Sequence, residues 1–321
     1  MSDRPFLEIQ QISKSFASGK ARIDAVRTVS MTIAEGETFG LVGESGSGKS
    51  TLGRLAIGLM KPDAGSVRAS GVDLVTASPA KLREMRKSLQ IVFQDAQSAL
   101  NGRVSVASNI MEPLVIHNQG TPSERLRRIG GLLERVGLTA AHGPAMPDEL
   151  SGGQLQRVMI ARALALGPKL LVCDEILSAL DLSVQAQVLS LLEDLRLTEH
   201  LAYLFISHNL SAVSYLSQVI GVMYLGELVE WAPTKSLLEK PGHPYTKALF
   251  DSILDVPESK AARKPLTILP GDIPSVIDRP KGCPFHTRCP LTMDICRTVP
   301  PQLVQVGEHH HAACHAIHAA G

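Results

Sequence analysis

At 321 residues the chain is about twice the length typical of one domain. With 44% hydrophobic and 20% charged residues it can bury a sizeable core, which excludes disorder as its main state. Its 32 Lys and Arg against 31 Asp and Glu leave a formal net charge of +1, and only 4% of residues are aromatic. A nucleic-acid binder is not expected, because the basic surplus and the stacking platforms are both missing.

Taken in chain order, Leu7 and Ile9 begin a strand-like alternation that recurs at Val29, Met31 and Ile33. The opening MSDRPFLEIQ has no basic segment followed by an apolar core, so no secretory signal is expected. Gly36 punctuates a turn before a short apolar strand, 38–42, which runs into GESGSGKST, 43–51, and a helix-like apolar run, 52–59. Leucines interspersed with charges at 123–136 predict a helix. Ser151 opens another, with Leu155, Val158 and Met159 on its buried face. Short apolar strands follow at 169–174 and 201–206. The region 201–229 is the most apolar, but His208, Asn209 and several serines interrupt it, and no stretch reaches the ~18 apolar residues of a membrane span. The chain therefore reads as cytosolic; if it meets a membrane, it does so through other subunits. Strands alternating with helices predict an α/β fold with a mainly parallel sheet. Prolines become dense from Pro241, so a domain boundary is expected at 240/241 and a packed regular sheet is not expected beyond it.

GESGSGKS fits the phosphate-loop pattern, with Gly43, Gly48, Lys49 and Ser50 in the fixed places. Such a loop needs residues without side chains so that successive N–H groups can wrap a phosphate at a helix N-terminus. Glu44, Ser45, Gly46, Ser47 and Thr51 complete the expected nucleotide contacts. Lys49 would bridge the β- and γ-phosphates, and the Ser50 hydroxyl would ligate Mg²⁺. A Gly/Ser-rich linker is the plain alternative, disfavoured by the flanking strand and helix. The strand LLVCDE ends in Asp174, a second expected Mg²⁺ ligand, and Glu175, which could polarise an attacking water. Alone, such an ending is as often structural; with the loop it indicates hydrolysis, and a phosphate-loop kinase would not need Glu175.

Leu150 to Arg157, LSGGQLQR, resembles the signature of ABC-type ATPases. In isolation Ser151 and Gly152 would pass for an ordinary helix cap. The resemblance implies that Ser151, Gly152 and Gly153 contact the γ-phosphate and that Gln94, in IVFQD, touches Mg²⁺ and water. It implies further that Asp181, in SALD, lies at a dimer interface and that His208 contacts the γ-phosphate. Phe16 is the candidate for stacking on adenine, although a Phe on a strand is usually core. The implied fold is a P-loop ABC nucleotide-binding domain at 1–240. It would have a mainly parallel sheet, an antiparallel β subdomain and a helical signature subdomain at about 95–165. Two such domains would face head to tail, with Glu175 as general base and Lys49 and His208 as further catalytic groups.

VFQDAQSALNGR, VCDEILSALDLSVQAQVLSLL and GHPYTKAL narrow the resemblance to the oligopeptide/dipeptide importer ATPases, and TLGRLAIGL is more similar to their F-type subunit. That family implies ATP and Mg²⁺ and a second ATPase subunit, in a heterodimer or alternatively a homodimer. It also implies two integral membrane permeases, an indirect extracytoplasmic solute-binding protein, and a peripheral position on the cytoplasmic face of the inner membrane. A soluble ABC ATPase acting on nucleic acid or ribosomes is the competing reading. The sequence departs from the family at Ile176, Ala96 and Gly102, where prolines are usual; this should loosen loops without deleting a chemical group.

Cys173 sits in an apolar run and reads as a buried hydrophobe. Cys283, Cys289, Cys296 and Cys314 have five, six and seventeen residues between them, unlike the C-x₂-C pairs of common zinc modules. Four thiolates suit an iron–sulfur cluster, which the resemblance implies as a 4Fe–4S cluster in a small irregular extension, 241–321. Zn²⁺ and metal-free thiols are the alternatives. His309, His310 and His311 read as a solvated run, with His315 alone close to a cysteine.

Overall fold

The computed structural model describes residues 5–19, 21–254, 274–275, 277 and 279–318. The stretch 255–273 of the expected extension lies outside these described residues. β1 (Leu7–Ser18) and β2 (Ala21–Ile33) form a long antiparallel pair, with Leu7 opposite Ile33 and Phe16 opposite Ile23. β3 (Thr38–Val42) follows, then the helix Lys49–Ala56, β4 (Ala64–Ala69) and β5 (Val72–Asp73). β6 (Leu89–Val92) leads into a helical region with helices at Val106–Ile116, Pro122–Arg135 and Gly152–Leu164. β7 (Leu170–Asp174), the helix Leu182–Glu199, β8 (Ala202–Ile206), β9 (Val219–Tyr224) and β10 (Glu227–Pro233) follow.

Two sheets result. The smaller is antiparallel, in the order β2-β1-β4-β5. In the larger, β9, β3, β8, β7 and β6 are successive parallel neighbours. β3, β7 and β8 are buried at every position, which is why they read as unbroken apolar runs. Their side chains alternate between two cores. Leu171, Cys173, Tyr203 and Phe205 join the helical region, whereas Leu170, Val172, Leu204 and Ile206 join β1, β2 and the helix Lys49–Ala56. The helices of the helical region begin at Ser105, Thr121 and Ser151, each of which accepts a backbone N–H at its own N-cap. Ile110, Leu114, Ile129, Leu132 and Val158 then face the core.

The extension is more regular than its proline content predicts. β11 (Val304–Gly307) and β12 (His310–Ala312) extend the large sheet, β12 pairing with β10 through Glu230–Ala312 and Trp231–His311. Pairing with an existing strand edge needs only a few extended residues, which prolines nearby do not prevent. His310 and His311 are correspondingly less solvated than expected, whereas His309 is exposed as expected. His310 Nε2 meets Glu230 Oε1 at 2.7 Å, His311 stacks on Trp231 with centroids 4.3 Å apart, and His315 bonds the Val299 carbonyl.

Candidate nucleotide-binding and catalytic site

The loop 43–48 leaves the C-terminal end of β3, where ligands bind in open parallel sheets. Its glycines are required by geometry. Gly43 has φ 150° and a Cβ there would meet the Met223 carbonyl oxygen at 2.2 Å; Gly48 has φ 100° and would meet that of Ala25 at 2.1 Å. Over the loop opens a cleft of about 300 Å³, walled by Ile23 and Ala25 of β2 and lined by residues 45–51, Gln94 and Glu175.

Lys49 is 4% exposed, and its Nζ donates to the carbonyls of Gly43 (2.8 Å) and Glu44 (2.9 Å). Burial lowers its pKa, opposed by Glu175, Asp174 and Glu44. Ser50 Oγ donates to Asp174 Oδ1 at 2.7 Å. Burial raises the Asp174 pKa, and the Ser50 hydrogen bond partly offsets this. Glu175 turns out of β7 at φ 51°, a left-handed conformation costing a non-glycine residue about 1–3 kcal/mol. The turn sends its carboxylate Oε2 to within 3.3 Å of His208 Nδ1, beyond the end of β8. Gln94 Nε2 contacts Ser178 Oγ at 3.5 Å, and that hydroxyl donates to the Glu175 carbonyl at 2.9 Å. A hydroxyl, a carboxylate and an amide are hard donors of the kind Mg²⁺ prefers.

The other expected residues stand apart from this cleft. Phe16 is 38% exposed on the strand next to Ile23, with Lys14 Nζ 5.9 Å from its ring centroid. Ser151 and Gln154 form a reciprocal cap at the start of Gly152–Leu164, and Ser151, Gly152 and Gly153 line separate grooves. Asp181 begins the helix Leu182–Glu199 without making a side-chain cap bond. Ile176 is buried, while Ala96 is the first residue of a short helix, a position where proline sacrifices no hydrogen bond.

Tyr245 and Arg288 were not singled out from sequence, and Ser178 was read only as the start of SALD. Ser178 braces Gln94 and Glu175, Tyr245 accepts the Glu44 N–H at 2.9 Å, and Arg288 pairs with the Glu44 carboxylate. Tyr245 belongs to GHPYTKAL, a visible motif whose spacing gave no hint of its partner. The same motif's Gly242 and His243 N–H groups bind the buried Glu230 carboxylate at 2.5 and 2.9 Å.

None of the four tail cysteines is in a disulfide, and Cys283, Cys296 and Cys314 are buried. Burial pushes the Cys283 thiol up to about 12, and the other three sulfurs add to the rise. Backbone N–H groups of Phe285, Leu291, Ala316 and Ile317 bond Cys283, Cys289 and Cys314. Among the described residues, however, no three His, Cys, Asp or Glu side chains form a group that could hold a metal ion. Nor, among them, is any helix long and apolar enough to cross a membrane.

Parallel-sheet core, glycine loop, paired acids and signature helix together define an ATP-binding cassette of the ABC type. A family model for ABC transporters matches residues 26–178, and one for the oligopeptide/dipeptide transporter C-terminal region matches residues 229–296. The oligopeptide transport ATP-binding protein AppF of Bacillus subtilis is 44% identical over 317 residues, covering 96% of each chain. YkfD of the same bacterium is 46% identical over 314 residues, 97% of this chain and 95% of its own. Among solved structures, the dimeric post-hydrolysis cassette MJ0796 bound to ADP and Pi superposes with a TM-score of 0.65. It is 28% identical, over 71% of this chain and 98% of that one. The chain belongs to the ATP-binding proteins of the oligopeptide/dipeptide branch of ABC transporters, and it is an ABC-type ATPase.

Proposed function

We propose that the chain couples ATP hydrolysis to uptake of peptides or related small solutes, as a peripheral subunit on the cytoplasmic face of the membrane. It would pair with a second ATPase subunit beneath two integral membrane permeases, served by an extracytoplasmic solute-binding protein. The observation carrying this reading is the meeting of Lys49, the Ser50–Asp174 hydrogen bond and Glu175 around one cleft, in a chain whose relatives are transport ATP-binding proteins. Those relatives and both family models disfavour the nucleic-acid alternative.

Backbone N–H groups of 45–51 would hold the β-phosphate, and Lys49 would bridge it to the γ-phosphate. Ser50, Asp174 and Gln94 would hold Mg²⁺, which when bound neutralises phosphate charge. Glu175 is the general base, taking the proton of the attacking water, and His208 steadies the γ-phosphate beside it. Phe16 stacks on adenine. Ser151, Gly152, Gly153 and Asp181 serve the nucleotide of the facing subunit, a reading supported by their standing outside the lining of this chain's own cleft. The cassette would span 1–240, with its helical subdomain at about 95–165, and the extension 241–321.

Glu175→Gln in the assembled transporter is expected to keep ATP binding and lose at least ~100-fold in turnover; near-normal hydrolysis would remove Glu175 from its role. For the extension we propose a structural 4Fe–4S cluster on Cys283, Cys289, Cys296 and Cys314, with Zn²⁺ as the alternative. It is supported by the three other cysteines acting together on the Cys283 thiol and by N–H groups directed at Cys283, Cys289 and Cys314. Iron, acid-labile sulfide and zinc analysis of anaerobically purified protein tests it. About four irons and four sulfides per chain, lost in Cys289→Ser, are expected, and an iron-free, sulfide-free protein would refute the cluster.

A further inference from the structure

Glu44, the second residue of the phosphate loop, is fixed from three directions. Its N–H donates to Tyr245 Oη (2.9 Å), and its carbonyl accepts from Lys49 Nζ (2.9 Å). Its carboxylate accepts from both terminal nitrogens of Arg288, at 2.9 and 3.1 Å. Arg288 lies 244 residues further along the chain, between Cys283 and Cys289, yet its side chain is only 7% exposed. One turn before it, fully buried Phe285 packs against Tyr224 and Tyr245, with ring centroids 5.4 Å from each. Arg288 Nη1 also reaches Tyr224 Oη at 3.5 Å. A two-point guanidinium–carboxylate pair fixes orientation as well as distance. Because Arg288 is buried, loss of Glu44 leaves its guanidinium charge uncompensated.

We propose that Arg288 is a positioning residue of the ATPase: through Glu44, the segment Phe285–Arg288 of the extension holds the phosphate loop and its lysine in the nucleotide-ready conformation. The geometry behind this is continuous. Arg288 orients the Glu44 side chain, Tyr245 holds the N–H of the same residue, and the Glu44 carbonyl anchors Lys49 Nζ. A loop ordered before ATP arrives binds it with less entropic cost, so the clamp acts on affinity more than on the chemical step. The extension is then part of the nucleotide site, whatever else it binds. This inference rests on residues 43–51 being the ATP loop.

The test uses the full-length chain, with a fluorescent ATP analogue for Kd and the assembled transporter for KM and kcat. Binding by the wild type tests the loop assignment itself, and its absence would overturn that assignment. Given wild-type binding, Arg288→Ala is expected to raise Kd and KM about tenfold with kcat changed less than about twofold. Arg288→Lys, which keeps charge but loses the fork, should recover part of the affinity, and it carries the test if the alanine variant fails to fold. Glu44→Gln should match Arg288→Ala, and the double variant should be no weaker than either single. As the control, His311→Ala removes the tail's stacking on Trp231, a contact outside the Glu44 clamp, and should lower the melting temperature without moving Kd. A wild-type Kd in both Arg288 variants, additive losses in the double variant, or an equal affinity loss in His311→Ala would overturn the proposal.

Discussion

Asp174 is a carboxyl group 4% exposed to solvent, with a single hydroxyl donor, Ser50 Oγ, at 2.7 Å. Burial disfavours its charged form, and Lys49 across the cleft is disfavoured in the same way. A site that holds unlike charges out of water is built for a ligand that will compensate them, and the nucleotide-free fold bears the cost. Asp174→Asn keeps an oxygen able to accept from Ser50 while removing the charge. We expect that variant, free of nucleotide at pH 7, to melt a few degrees above wild type by calorimetry. The same variant should lose most Mg²⁺-dependent turnover. Equal or lower melting would mean that the buried carboxylate is not a source of strain. Residues of this kind were legible in the sequence because the loop and the acidic strand end are each contiguous, so a few neighbours in the chain specify their chemistry. Arg288 was not legible. Its partner Glu44 lies 244 positions away, and no local spacing encodes a pairing made only by the tertiary fold.

Among the elements, the helix Pro122–Arg135 shows how strongly a boundary can be written in local chemistry. Thr121 and Glu124 form a reciprocal cap, with the Thr121 N–H donating to Glu124 Oε2 at 2.6 Å, and Pro122 occupies the first turn. Ile129, Leu132 and Leu133 bury one face. Against this, Gly130 and Gly131 sit mid-helix, and a Cβ at either would meet nothing within 4 Å. Glycine in a helix interior costs up to about 1 kcal/mol relative to alanine. Gly131→Ala should therefore raise stability to chemical denaturation by about that amount and leave nucleotide affinity unchanged; no gain would indicate that the helix is not continuous through this pair. The strand elements were equally readable where they are short, apolar and wholly buried. β11 and β12 escaped because a three- or four-residue strand carries too little periodicity to stand out from a proline-dense tail.

Over the whole molecule, the extension and the cassette share one buried polar network. Glu230, fully buried on β10, gathers the Gly242 and His243 N–H groups and His310 from β12. His243 Nδ1 in turn accepts the Tyr245 N–H at 3.1 Å, so it is needed as the neutral imidazole. Burial lowers its pKa to about 4, despite the opposing pull of Glu230. The folded protein thus resists a proton that the unfolded chain takes up near pH 6.5. This contribution is complete above pH 6.5 and is lost as pH falls towards 4, with a slope of up to about 1.4 kcal/mol per pH unit. Denaturant titrations at pH 7 and 4.5 should show His243→Asn losing less stability on acidification than wild type. An identical loss in both would place the acid sensitivity elsewhere.

The pairing of β12 with β10 has one more consequence. Unsheathed, β10 would offer Leu228, Val229 and Ala232 along an open row of backbone donors and acceptors, a template on which another molecule's strand could add. β12 covers the middle of that row at Glu230 and Trp231, and β11 beyond it is four residues long, alternating exposed and half-buried positions, a poor surface for further growth. The C-terminal strands therefore guard against edge-to-edge aggregation. A chain cut before Leu303 would fail first as a solubility problem, whatever its remaining capacity to bind ATP.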